Sequence, residues 1–189
     1  MSVLSAIFQA IIQGITEFLP ISSSGHLSLY QHFTGNSGEG ALMFSAILHL
    51  GTLVAVFAVF YRQIFELILE LGRMIRDIFT GKFSIRDASP MRRIVFMYII
   101  STAMLLPFVI FKDMFESLAQ DESILAEGIC FLYTAAILFM ADRTDKGYKE
   151  TVDIAYRDSV TIGFFQGVSL LPGVSRSGST IGAGLFCGL

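Results

Sequence analysis

The sequence predicts an all-α integral membrane protein that forms a single membrane domain over residues 1–189. The first observation is composition: apolar residues make up 53% of the chain and charged residues only 15%, against about 25% in soluble domains. The second is a set of long segments almost free of charge. The third is a pair of related polar motifs inside apolar surroundings. Together these observations favour a bilayer as the solvent of most of the chain.

Three segments are long enough to cross a bilayer core of about 30 Å, which takes roughly 20 residues. They are residues 41–61, 94–111 and 124–141. The first two contain no Asp, Glu, Lys or Arg, and the third contains only Glu127 near its start. Pro107 predicts a kink in the second span, which membrane helices tolerate.

Four further apolar stretches are too short to span a membrane: residues 1–12, 27–33, 159–171 and 178–189. Pieces of this length are better interpreted as halves of re-entrant helical hairpins. We expect a first hairpin over residues 1–33. The second hairpin lies within residues 153–189.

Loop charges predict the orientation of the spans. Residues 62–93 hold seven Lys and Arg and residues 142–158 hold four, whereas residues 112–123 hold one Lys against four acids. Basic loops favour the cytoplasmic side. Apolar residues recur at helical spacing within residues 62–93, which predicts a separate helix on the inner membrane surface.

Two similar motifs lie 153 residues apart, and each contains the lone charge of its region. Residues 13–26 read Gln-Gly-Ile-Thr-Glu-Phe-Leu-Pro-Ile-Ser-Ser-Ser-Gly-His, and residues 166–179 read Gln-Gly-Val-Ser-Leu-Leu-Pro-Gly-Val-Ser-Arg-Ser-Gly-Ser. The predicted topology makes the two hairpins enter from opposite sides and meet near the midplane, as in inverted-repeat folds. Residues 1–152 then form the first repeat and residues 153–189 begin the second, so we expect the sequence to be truncated.

The second motif has the chemistry of a phosphate cradle. Arg176 keeps its charge in a low-dielectric site and therefore requires an anion or a carboxylate. Ser175, Ser177 and Thr180 supply hydroxyl groups around it, and glycines such as Gly173 allow an oxyanion to approach the backbone. The backbone N–H groups that open the following helix favour an anion at the same place.

The first motif has the chemistry of phosphoryl transfer. Glu17 lies four residues after Gln13, so the two side chains share one helix face. Three serines, with Ser23 in the middle, and then His26 follow within ten residues. A carboxylate, hydroxyl groups and an imidazole supply a base, candidate nucleophiles and an acid. His49, inside an uncharged span, is a weaker candidate for the same cavity.

Two alternatives stay open at this point. An ion pair between Glu17 and Arg176 would lock the two repeats together, although such a lock needs neither the hydroxyl groups nor the glycines. A transporter or flippase for an anionic lipid or solute would also suit inverted hairpins with charged tips. The net charge of −3 argues against nucleic acid as a partner.

With these two motifs, the sequence resembles the undecaprenyl-pyrophosphate phosphatase family associated with bacitracin resistance. The family's first signature is Glu or Gln, three residues, Glu, then Phe-Leu-Pro-x-Ser-Ser-x-Gly-His, which matches residues 13–26. The second is Pro-Gly-x-Ser-Arg-Ser-x-x-Thr, which matches residues 172–180. Gln13 takes the neutral option where many relatives carry Glu.

The resemblance implies hydrolysis of a C55 polyprenyl diphosphate to the monophosphate carrier lipid and phosphate, as needed for cell-wall synthesis. It implies a multi-pass protein of the bacterial cytoplasmic membrane with a site opening to the outer face, dependent on a divalent cation, Mg or Ca. The implied catalytic residues are Glu17, Ser23, His26 and Arg176; the substrate-binding residues are Ser175, Arg176, Ser177, Thr180 and Gly173; and the metal ligands are Glu17 and Gln13. The nucleophile stays open between Ser23, His26 and water, and a homo-oligomer is compatible with this class.

Overall fold

The computed structural model describes residues 2–36, 38–83, 88–111, 124–144, 147–150, 153–171 and 173–189, and this part of the chain contains helices and no strand. The helices are α1 (Val3–Phe18), α2 (Ser23–Thr34), α3 (Glu39–Phe79), α4 (Pro90–Ala103), α5 (Leu106–Val109), α6 (Ile124–Ala141), α7 (Tyr156–Val168) and α8 (Arg176–Phe186). The predicted all-α class is confirmed.

Three helical segments are long and apolar enough to cross a membrane: Gly40–Phe79, Pro90–Val109 and Ile124–Ala141. They coincide with the three predicted spans, although the first is much longer than expected. At 1.5 Å per residue, the 41 residues of α3 extend about 60 Å, roughly twice the thickness of a bilayer core. The backbone of Phe60 is non-helical (φ −104°, ψ 18°), so α3 bends where the first span was expected to end.

The second part of α3, after the kink at Phe60, packs against α4. The expectation that a helix within residues 62–93 lies on the inner membrane surface stays a prediction. Arg92 at the start of α4 donates to Glu70 at 2.8 Å and to Asp77 at 2.7 Å. Met74, between these two carboxylates in the chain, is 3% exposed. Paired charges and a buried side chain therefore hold this part of α3 on α4.

The predicted break at Pro107 is present. Helix α4 ends at Ala103 and the short α5 begins at Leu106, with the proline in its first turn. Proline lacks a backbone N–H and clashes with the preceding turn, so it is accommodated at a helix start. The break lies just beyond the part of α4 that faces the site described below.

Two short helix pairs lie where the two hairpins were predicted, and their placement as re-entrant elements of an inverted repeat stays a prediction. Helix α1 packs on α2, and α7 packs on α8. The second pair also contacts the spanning helices, α7 against α4 and α8 against α6. Close approach requires glycine at Gly163, where an added Cβ would lie 2.5 Å from the Ser101 carbonyl oxygen, and small residues serve this purpose between membrane helices.

Candidate active site

The tips of the two hairpins line one cavity of about 590 Å³. From the first hairpin it is lined by Thr16, Glu17, Ser22, Ser23 and Ser24. From the second it is lined by Gln166, Ser169, Leu170, Leu171, Val174, Ser175, Arg176, Ser177 and Thr180, with Ile162 from further up α7. His49 of α3 and Tyr98, Ser101 and Thr102 of α4 complete the wall. The two motifs, far apart in sequence, therefore belong to one site.

The turn of the first tip is a strained backbone closed by a serine cap. Ser22 has a positive φ of 70°, which is uncommon for a residue other than glycine and is typical of functional sites. Its Oγ accepts a hydrogen bond from the Gly25 N–H at 3.3 Å and so caps α2. The strain places Ser23, the first residue of α2, at the cavity wall.

The second tip repeats the serine cap without the strain, because Ser175 has an ordinary extended backbone (φ −72°, ψ 118°). Ser175 caps α8, and its Oγ accepts from the Gly178 N–H at 3.0 Å. The buried Ser175 N–H donates to Thr134 Oγ1 of α6 at 3.1 Å, which ties the tip to a spanning helix. Gly173, with a positive φ of 88°, does not line the cavity; an added Cβ would lie 3.0 Å from Cys130 of α6. Its place in the substrate-binding set stays a prediction, and its visible role is to let the turn lie against α6.

The two caps make the same side-chain contacts. Ser22 Oγ lies 3.4 Å from Ser24 Oγ, and Ser175 Oγ lies 3.2 Å from Ser177 Oγ. The next residue in each tip begins its helix, and here the tips differ, because one presents the Ser23 hydroxyl and the other the Arg176 guanidinium. Two similarly capped helix starts therefore present a hydroxyl on one side of the cavity and a cation on the other.

A hydrogen-bonded carboxylate lies beside the Ser23 hydroxyl. Ser23 Oγ donates to Glu17 Oε2, which also accepts from Gln13 Nε2 at 3.1 Å. Gln13 is 1% exposed, whereas the Glu17 side chain is 33% exposed and lines the cavity. A hydroxyl within hydrogen-bond reach of a base is the arrangement that activates a serine nucleophile.

The same residues fit a hard divalent cation. Gln13 Oε1 is buried and has no hydrogen-bond partner in the described part of the chain. Together with the Glu17 carboxylate and the Ser23 hydroxyl it makes a set of oxygen donors. No cluster of three or more His, Cys, Asp or Glu suited to a metal occurs among the described residues. One carboxylate completed by substrate phosphates is a usual way to bind Mg²⁺.

The Arg176 side chain is exposed towards the cavity. Within the described ranges it forms no salt bridge, so the ion pair with Glu17 that would lock the repeats is not present there. Ser177 and Thr180 lie on the same wall. A guanidinium that has no carboxylate partner among the described residues, and that lies beside hydroxyl groups, is suited to bind an anionic ligand.

The histidine of the first motif does not line the cavity. His26 Nδ1 lies 2.7 Å from the Ser22 carbonyl oxygen, and its ring packs edge-on against Phe131 with centroids 5.0 Å apart. These contacts hold the strained turn. The predicted catalytic role of His26 stays a prediction, and the geometry favours a supporting one.

His49 of α3 lines the cavity instead. Its Nδ1 lies 2.8 Å from the Ser45 carbonyl oxygen, which sets the tautomer and turns Nε2 towards the cavity. Nε2 lies 3.8 Å from Glu17 Oε2. Sequence reasoning gave His49 little weight because a single histidine in an apolar span is weak evidence on its own.

The wall from α4 was missed altogether from sequence. Ser101 Oγ donates to Gln166 Oε1 at 3.5 Å, so α4 and α7 meet at the cavity. Gln166 corresponds to Gln13 at the 153-residue offset, and that correspondence is the sequence signal that would have identified Gln166 as a residue of the cavity. Ser101 and Thr102 are adjacent hydroxyl residues in an uncharged span, which is too common a pattern to indicate a site.

The fold and the cavity define an all-helical integral membrane protein in which two hairpin tips enclose a polar site suited to an anion. A family model described as bacitracin resistance protein BacA matches residues 6–189, and the chain belongs to this family. The resemblance carried by the two motifs thus extends over almost the whole chain.

Similar proteins carry a common name. The undecaprenyl-diphosphatase of Alkaliphilus metalliredigens (strain QYMF) is 40% identical over 192 residues, covering 100% of this chain and 68% of that protein. The undecaprenyl-diphosphatase of Methanosphaera stadtmanae is 38% identical over 193 residues, with the same coverage. Undecaprenyl-diphosphatase 4 of Bacillus thuringiensis (strain Al Hakam) is 36% identical over 190 residues, covering 98% of this chain and 64% of that protein.

Proposed function

We propose that this protein hydrolyses undecaprenyl diphosphate to undecaprenyl phosphate and inorganic phosphate and so recycles the carrier lipid for cell-wall synthesis. The shared name of its relatives supports this activity. The observation that carries it is the cavity, where the Ser23–Glu17 hydrogen bond of one tip faces the same space as Arg176 of the other.

Arg176 and the two helix starts bind the diphosphate. The guanidinium offers two parallel N–H donors to phosphate oxygens, which gives orientation as well as attraction. Helices α2 and α8 both begin at the cavity wall, and their free N–H groups favour negative charge there. The hydroxyl groups of Ser175, Ser177 and Thr180 complete the hydrogen bonding.

Ser23 is the nucleophile that the geometry favours among Ser23, His26 and water. Its Oγ forms a bond to the terminal phosphorus while the bond from that phosphorus to the bridging oxygen breaks. Undecaprenyl phosphate leaves, and the Ser23 proton passes to Glu17. Water then attacks the phosphoserine, the P–Oγ bond breaks, and Glu17 returns its proton to Ser23 Oγ. The released phosphate keeps both protons of the water.

A divalent cation, Mg²⁺ or Ca²⁺, is part of the proposal. Glu17 and Gln13 are the residues that would hold it, in agreement with the unpartnered Gln13 Oε1. When bound, the cation supplies positive charge against the phosphate oxygens. Activity that survives thorough chelation and does not rise when either ion is restored would contradict this part.

We place the protein in the bacterial cytoplasmic membrane with the cavity opening to the outer face. Introduced cysteines at Asn36 and Asp121 are expected to react with an impermeant thiol reagent on intact cells. Those at Ser84 and Lys146 are expected to react only after permeabilisation. Asp121, Ser84 and Lys146 lie outside the described residues. The reverse labelling pattern would overturn the orientation.

Phosphate release in detergent micelles separates the enzyme from a transporter. Transport needs two compartments and hydrolysis does not, so the purified protein should release phosphate from undecaprenyl diphosphate in micelles. Ser23→Ala is the matched inactive variant, and Ser24→Ala, on the same tip, is the control. Equal phosphate release by wild type and Ser23→Ala would show that the signal is contamination.

A further inference from the structure

An apolar groove of about 490 Å³ lies between the second part of α3 and α4. Leu67, Ile68 and Leu71 line it from α3, and Ile99 and Ala103 are among its residues on α4. None of its lining residues is charged. The proposed chemistry does not use this groove.

The groove lies beside the active-site cavity. Tyr98 and Thr102 line both, so one stretch of α4 forms a wall of the polar space and of the apolar one. Tyr98 suits such a boundary because it has an apolar ring and a polar tip. A molecule with an anionic head beside Arg176 and an apolar tail can therefore occupy both spaces.

We propose that this groove binds the apolar chain of the polyprenyl diphosphate while the diphosphate occupies the cavity. The inference rests on the proposed function, because it assigns a place to the other part of the same substrate. The chain must leave a cavity whose walls carry hydroxyl groups, a carboxylate and a guanidinium. Burial of its apolar surface is favourable only on apolar surface, and the groove begins at the shared wall.

Charges bound one end of the groove. Glu70 precedes Leu71 on α3, and it pairs with Arg92, three residues before Val95 of the groove lining. An apolar chain gains nothing by covering this ion pair, whose desolvation is costly. The chain is therefore expected to run from Tyr98 towards Leu106, away from the charged end.

The test compares chain lengths. Ala103 is exposed and lines the groove, so Ala103→Trp fills the groove without displacing a buried side chain. Ala135→Trp, at an exposed position of α6 outside both spaces, is the matched control. We expect Ala103→Trp to lower kcat/KM for the C55 diphosphate by about tenfold or more. Hydrolysis of a C5 prenyl diphosphate, which has the same head and almost no tail, should be unchanged.

An equal loss on both substrates would overturn the inference, because the substitution would then act on the cavity. Unchanged activity on both would also overturn it, since another helix or an ordinary membrane lipid would occupy the groove.

A binding measurement keeps this test separate from the proposed function. A polyprenyl diphosphate with a photoreactive group on its chain is expected to label the groove near Leu67 and Leu106, and unlabelled C55 diphosphate should compete. Labelling of the groove without phosphate release would contradict the proposed hydrolysis but would still support binding of the chain in the groove. Labelling confined to other helices would contradict the groove, whatever the activity.

Discussion

The two hairpin tips share a serine cap, on different backbones, and carry different chemistry. In both, a serine caps the second helix and bonds the N–H three residues later, at 3.3 Å in the first tip and 3.0 Å in the second. The residue after the cap is Ser23 in one and Arg176 in the other. The comparison teaches that the capped helix start provides position, and that the residue after the cap decides whether the tip presents a hydroxyl or a guanidinium to the cavity.

A second difference supports this division. Glu17 in the first tip corresponds to Leu170 in the second, and both line the cavity. Among the residues that line the cavity, the carboxylate therefore lies on the side of Ser23. A second carboxylate at position 170 would repel the diphosphate and would compete for Arg176, which we propose binds the substrate.

The hairpins are also anchored differently at their starts. The first begins with the neutral Ser2 cap, whose Oγ accepts from Ser5 N–H at 3.2 Å. The second begins with Asp158, which accepts from the Ala155 N–H and from Lys149 Nζ, both at 2.8 Å. Only the second start therefore depends on an ion pair.

The largest expected effect is that of Ser23→Ala, which removes the nucleophile from the first tip. We expect kcat to fall by about 10³-fold or more, as when the nucleophile of a serine enzyme is removed. Ser177→Ala, on the opposite tip, should lower kcat much less, because the Ser177 hydroxyl is proposed only to bind the diphosphate. Phosphate trapped on the wild-type protein after a single turnover should map to Ser23. A trapped phosphohistidine at His26 would reverse the assignment.

Glu17→Gln is expected to have the next largest effect. The variant keeps the shape of the side chain but removes the proton acceptor, so kcat should fall by about 10² to 10⁴-fold with little change in KM. Leu170→Gln, at the corresponding position of the second tip, is the control and should retain most activity. A rise in KM alone would make Glu17 a binding residue and would weaken the distinction between the tips.

Arg176→Lys tests whether the second tip needs the paired N–H donors of a guanidinium or only a positive charge. Lysine keeps the positive charge but loses the paired donors. We expect a loss of about 100-fold in kcat/KM, and more for Arg176→Ala. Near-normal turnover of a folded Arg176→Ala variant would contradict the proposed role of this tip in binding the diphosphate. Steady-state kinetics measures kcat/KM of each variant, and thermal unfolding checks that each variant is folded.

The smallest effect concerns the anchor of the second hairpin. Burial alone would raise the pKa of Asp158, but hydrogen bonds from Lys149 and the Ala155 N–H outweigh it and hold the pKa below its usual range. A lowered folded-state pKa stabilises the protein above the unfolded value of about 3.9, and the contribution is lost as pH falls through the folded value. Asp158→Asn should therefore lower the thermal midpoint by a few degrees at neutral pH and flatten its decline in acid.

Asp153→Asn is the control for this measurement, because Asp153 is exposed and lies outside the pair. Its melting curve should follow that of the wild type across the same pH range. If both variants decline in acid as steeply as the wild type, the ion pair does not stabilise the start of the hairpin.

Local properties were accessible from the sequence by itself. Hydropathy identified the three spans, Pro107 identified the end of α4, and two motifs identified Glu17, Ser23 and Arg176 as residues that share a site. These features depend on side-chain chemistry and short-range sterics, which do not change with the packing of distant helices. The family resemblance was confirmed for the same reason, since its signatures are contiguous.

Only the tertiary structure decided which side of each helix faces the cavity. His26 lies beside the motif serines yet packs against Phe131, whereas His49, outside both motifs, points its Nε2 at Glu17. The wall that α4 contributes to the cavity and the continuation of α3 past Phe60 were likewise not predicted from the sequence. In a nearly uniform apolar helix the hydrophobic pattern sets no preferred face, so the rotation of each helix is set by the neighbours that pack on it.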